Sequence, residues 1–96
     1  MTRVELTKLA RTELIDLIRS RGIPAGEAFA RVEAAIEQLA AHPESGQVVN
    51  GDRYLQARML GAAWGWLCLL YLYDSAADTV TITTFYDART LGAPGP

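Results

Sequence analysis

Trp64-Gly-Trp-Leu-Cys-Leu-Leu-Tyr-Leu-Tyr-Asp74 is the stretch on which the fold turns. Read with the two-residue period of a strand, it is apolar on both sides. Trp66, Cys68, Leu70 and Leu72 share one face, and Leu67, Leu69, Tyr71 and Tyr73 share the other. Such a strand belongs in the middle of a sheet, with both of its faces covered. Downstream, Thr79-Val-Thr-Ile-Thr-Thr-Phe-Tyr86-Asp-Ala-Arg89 alternates more cleanly, with Val80 and Ile82 on one side and Thr79, Thr81 and Thr83 on the other. Its β-branched and aromatic residues suit a half-buried pleated surface. The five residues Asp74-Ser-Ala-Ala-Asp78 between them make a polar, hairpin-sized link. Upstream, Tyr54-Leu-Gln-Ala-Arg-Met-Leu60 supplies another strand, so Tyr54–Arg89 reads as an antiparallel meander.

The first half must supply the cover. Arg3–Leu6 alternates as a short edge strand, and Thr7 is placed to cap a helix running over Lys8–Arg21. Ala10, Leu14, Leu17 and Ile18 recur there at helical spacing. Gly22 suits the helix end, and Pro24 opens a second helix reaching about His42. Phe29, Val32, Ile36 and Leu39 form that helix's expected apolar stripe, flanked by Ala28, Ala35 and Ala40, and Pro43 stops it. Glu44–Arg53 reads as a loop, and residues 91–96 as a flexible tail after a single domain over residues 1–90. The expected fold is α+β in the order β-α-α-β-β-β, with a helical hairpin packed on one face of a small antiparallel sheet.

Composition narrows the function classes. The chain has 96 residues, half of them apolar, and a net charge of −2. Up to Pro43 six basic residues balance six acidic ones, whereas beyond it Arg53, Arg58 and Arg89 face Glu44, Asp52, Asp74, Asp78 and Asp87. The sheet half is acidic, which argues against a phosphate-backbone binder built on clustered cations. The apolar run through Leu60–Tyr73 is too short for a bilayer span and contains Gly61 and Gly65, so no membrane association is expected. The start of the chain lacks the pattern of a signal peptide, and one cysteine forms no internal disulfide; both fit a cytoplasmic setting. One histidine and one cysteine do not make a metal site, and no cofactor is expected.

Order and spacing carry a family resemblance. Leu39-Ala-Ala-His-Pro-Glu-Ser-Gly46, the Tyr54–Leu60 strand with Arg58 entering a strand that contains Leu70-Tyr71, and Val80–Arg89 with its terminal aromatic and arginine resemble the RelE/ParE superfamily of toxins from bacterial type II toxin–antitoxin modules. The match runs from Val4 to Thr90. The resemblance implies a small growth-inhibiting toxin neutralised by a cognate antitoxin, with either messenger RNA on the ribosome or DNA gyrase as target. The nuclease branch carries Lys or Arg on the two middle strands, and an Arg with a Tyr or His near the C-terminus. They serve the base, the acid and the cations that 2′-hydroxyl attack on a phosphate needs. Here Arg58, Tyr86 and Arg89 are the surviving catalytic candidates, and the family's arginine on the Trp66–Tyr73 strand aligns with Cys68. That depleted set favours a ParE-like, gyrase-directed or other non-nuclease binding toxin, or a toxin that has lost its activity. A RelE-like ribosome-dependent endoribonuclease and a non-toxic interaction module on the same fold are the alternatives.

Each candidate also has a plainer reading. Arg58 and Arg89 read equally as solvated arginines pairing with Asp87 or Asp52, and Tyr86 as a half-buried strand aromatic. Cys68 reads as a small core residue, with His42 at a helix end rather than beside it. Trp64 and Trp66 flank Gly65 on one side of the strand; they are candidate partner-binding residues or, equally, core.

Overall fold

The computed structural model describes residues 2–49, 52–59 and 67–87. Two helices lie on one face of a five-stranded sheet: β1 (Arg3–Leu6), α1 (Lys8–Arg21), α2 (Ala25–Ala41), β2 (Gln47–Val49), β3 (Asp52–Met59), β4 (Leu67–Asp74) and β5 (Thr79–Asp87), in the sheet order β1-β5-β4-β3-β2. The doubly apolar strand is the central one, as its composition requires.

Local chemistry sets the helices. The Thr7 hydroxyl accepts from the Ala10 amide at 3.0 Å and so satisfies one of the amides that the first turn leaves open. α1 buries Ala10, Leu14 and Ile18, and ends at Gly22 in the left-handed region with φ 64°. There the Gly22 and Ile23 amides return to the Arg19 and Ile18 carbonyls. α2 buries Ala28, Val32, Ala35 and Leu39. This corrects the expected stripe: Phe29 is 51% exposed, and Ile36 packs only at the margin of the core. The buried face is turned toward the alanines, whose lack of bulk lets α2 lie close to its neighbours.

The sheet departs from the expected one in two ways. β1 is an edge strand, but it pairs parallel to β5, with Val4 opposite Val80 and Leu6 opposite Ile82. The helical hairpin between β1 and the meander supplies the long connection that a parallel neighbour needs. The stretch read as a loop contains β2, paired antiparallel with β3 through Gln47–Ala57 and Val48–Gln56. Two β-branched valines just before Asn50-Gly51, a hairpin-favouring dipeptide, explain it.

β4 and β5 hold the core. Leu67, Leu69 and Tyr71 of β4 meet the helices' apolar faces together with Val80, Ile82 and Phe85 of β5. The pairing shifts between Leu70 and Tyr71: Leu70 lies opposite Thr84 and Tyr71 opposite Ile82, so Thr83 is the extra residue of a bulge. The Thr83 hydroxyl donates to the Leu70 carbonyl at 3.3 Å, while the Thr83 carbonyl accepts from the Thr7 hydroxyl at 3.4 Å. The bulge switches the parity of β5. Val80 and Ile82 point to the helices before it, Phe85 and Asp87 after it, and all four are buried. The other face of β4 is covered unevenly, against the expectation of two covered faces: Cys68 is buried, Leu70 is half-buried and Leu72 is 41% exposed.

Candidate functional site

The parity switch places Tyr86 on the sheet face turned away from α1 and α2. It sits directly across from Cys68, in a column that continues through Leu70–Thr84 and Leu72–Thr81. The described groups on this part of the face are thus a thiol, a phenol, two threonine hydroxyls and two leucines. None of them carries a charge at neutral pH.

The Tyr86 hydroxyl is buried, and the polar group it meets is the Cys68 thiol, a weak hydrogen-bond partner. Burial first, then that thiol, pushes the Tyr86 phenol well above its ordinary range. Burial also raises the Cys68 thiol, the bond from Tyr86 opposes this, and the negative charge of Asp87 adds to it. Both groups are therefore held neutral. Tyr86 is not poised as a proton acceptor, and Cys68 is not poised as a nucleophile, since the thiolate is the reactive form.

Arg58 lies on β3 opposite Leu69, one rung from the row that contains Met59, Cys68 and Tyr86. The register thus sets Arg58 and Tyr86 two strands apart on adjacent rungs, which strand alternation assigns to opposite faces, so it does not bring the two together. Arg89, Trp64 and Trp66 lie outside the described residues. Asp87, expected as a partner for Arg58 or Arg89, is engaged from the other side of the sheet. Arg21, the last residue of α1, donates to its Oδ2 from Nε at 3.1 Å and from Nη2 at 2.5 Å. Sequence reading missed this pair, because pairing a helix-end arginine with a strand-end aspartate requires knowing that β5 changes parity.

His42 is the C-cap of α2 and sits apart from Cys68, in an open cleft of about 680 Å³ beside Tyr73, near the other end of β4. The cleft is lined also by Pro43, Glu44 and Ser45. Among the described residues, no three His, Cys, Asp or Glu side chains gather as a metal-binding group. No helix among them is long and apolar enough to cross a membrane.

No family model matches the chain, and no curated protein matches it. Solved structures do. The chain is similar to one in the toxin–antitoxin complex RelBE2 from Mycobacterium tuberculosis, with 24% identity over 90% of both chains and a TM-score of 0.66. It is similar to one in the intact E. coli RelBE toxin–antitoxin complex, with 12% identity, 92% of this chain and 98% of that one covered, and a TM-score of 0.65. A metal-bound toxin from Helicobacter pylori gives 15% identity, 95% and 99% coverage, and a TM-score of 0.60. At such identities the likeness is one of fold. Helical hairpin, sheet and strand order together give this chain the fold found in these RelBE and Helicobacter pylori toxin structures.

Proposed function

We propose that this protein is the toxin component of a type II toxin–antitoxin system, and that it inhibits growth by binding a cellular target, with DNA gyrase favoured, rather than by cutting RNA. The fold supports the toxin assignment. The observation that carries the binding mode is the uncharged face around Tyr86 and Cys68, where burial keeps both groups protonated. Phosphoryl chemistry needs positioned cations and a group able to take a proton, and the described part of this face has neither. A cognate antitoxin neutralises the toxin by covering apolar surface, with Trp64 and Trp66 as its proposed contacts.

Induced expression in a bacterial host tests this reading. DNA-damage signalling with intact messages, together with inhibition of gyrase supercoiling by the purified chain, is the expected result. Codon-linked cuts in mapped messenger 5′ ends would instead establish a RelE-like ribosome-dependent endoribonuclease using Arg58, Tyr86 and Arg89. Harmless overexpression would point to a non-toxic interaction module.

A further inference from the structure

Asp87 is the one charged side chain buried among the described residues, at 2% exposure. A carboxylate is held there only with a hydrogen-bonded counter-charge, and Arg21 provides it through two donors on one oxygen. Arg21 is itself braced, with Nη1 donating to the Ser20 hydroxyl at 3.2 Å. The pair ties the last turn of α1 to the final residue of β5. Tyr86 is the preceding residue, and strand alternation turns it to the opposite face whenever Asp87 points inward. Across the sheet, Leu67 is the partner of Asp87 and Cys68 the partner of Tyr86. The ion pair and the Tyr86–Cys68 contact are thus adjacent rungs on opposite faces of one strand end.

We infer that Arg21 is a positioning residue: its pair with Asp87 clamps the end of β5 to α1, and so holds Tyr86 against Cys68 on the face offered to the target. The bulge at Thr83 separates this strand end from the rest of β5. Beyond it the strand end runs in a shifted register, with Asp87 turned inward at its last pair. The functional half of this inference rests on the proposed toxin reading; the clamp itself does not.

Cys68 is the only cysteine in the chain, so alkylation by iodoacetamide reports exposure at this one buried position. With the full chain, Arg21→Gln and Asp87→Asn should speed alkylation about tenfold or more without denaturant, through local rather than global opening. Urea below the unfolding transition should then change the rate little, because local opening exposes little surface. Arg21→Lys, which keeps the charge but not the two-pronged geometry, should give an intermediate rate and is the variant to use if Arg21→Gln does not fold. Rates within about twofold of the parent's, or acceleration with the full urea dependence of global unfolding, would overturn the clamp. Growth arrest on expression is read in parallel, as surviving colonies at matched soluble protein. Weaker arrest by Arg21→Gln, partly restored in Arg21→Lys, is expected. Unchanged arrest alongside faster alkylation would overturn the positioning role. A parent chain that does not arrest growth would count against the toxin reading, while the alkylation rates still decide the clamp.

Discussion

Replacing Gly46 by alanine puts one methyl group where the structure has no room for it. The new Cβ would lie 2.6 Å from the Tyr71 hydroxyl oxygen, 2.9 Å from Cε1 and 3.0 Å from Cζ. Tyr71 is fully buried in the central strand, so its ring has nowhere to go, and the segment after α2 must move instead. Movement breaks the 2.9 Å bond from the Gly46 amide to the Tyr71 hydroxyl. Overpacking of this kind costs about 1–3 kcal/mol, and the lost hydrogen bond roughly 0.5–1.5 kcal/mol more. The stiffer unfolded chain offsets about 0.4–1 kcal/mol of that. A net loss of about 2 kcal/mol follows, a fall in Tm on the order of 10 °C for a domain this size. Urea and thermal unfolding followed by circular dichroism measure it. Gly26→Ala is the control: a Cβ at that site in α2 meets nothing within 4 Å, so the same change should stabilise by up to about 1 kcal/mol. In a Tyr71→Phe background, where the 2.6 Å contact is gone, Gly46→Ala should cost measurably less. A neutral or stabilising Gly46→Ala, or an equal cost in both backgrounds, would refute the reasoning.

Two further outcomes are expected. Thr7→Ala removes the hydroxyl that caps α1 and contacts the bulge at Thr83, and should lower stability by about 1 kcal/mol in urea unfolding. Alkaline pH should destabilise the fold. Tyr86 and Cys68 both have folded-state pKa values above their ordinary ones, so the native state holds protons that the unfolded chain releases first. Stability therefore stays level below about pH 8.5 and falls as pH rises past the ordinary thiol and phenol ranges. Urea midpoints between pH 8 and 11 check this, and a shallower decline in Tyr86→Phe would assign the phenol's share.

Residues with strong local signals were legible without coordinates. The doubly apolar Trp66–Tyr73 run named the central strand; Thr7, Gly22 and Pro43 bounded the helices; Ala10, Leu14, Ile18, Val32 and Leu39 were recognisable core. What escaped depends on tertiary context. Phe29 and Ala28 are neighbours on one helical turn, and only the approach of the other elements decides which faces inward. The bulge at Thr83 has no sequence marker, since a run of threonines suits either parity. The Arg21–Asp87 pair was hidden behind it. Of the candidate site, Tyr86 was found but its environment was not, because the burial that holds it neutral, and its placement against Cys68, are visible only in the register of β4 and β5.

Tyr86→Phe tests the central claim most directly, through growth arrest on induced expression with solubility and unfolding midpoint checked in parallel. The hydroxyl is buried, weakly bonded and kept protonated, so a protein that works by binding should lose little when it is removed. Full growth arrest by the folded variant is the expected result. Arrest abolished in a folded Tyr86→Phe protein would show that the hydroxyl takes part in chemistry and would contradict the binding account.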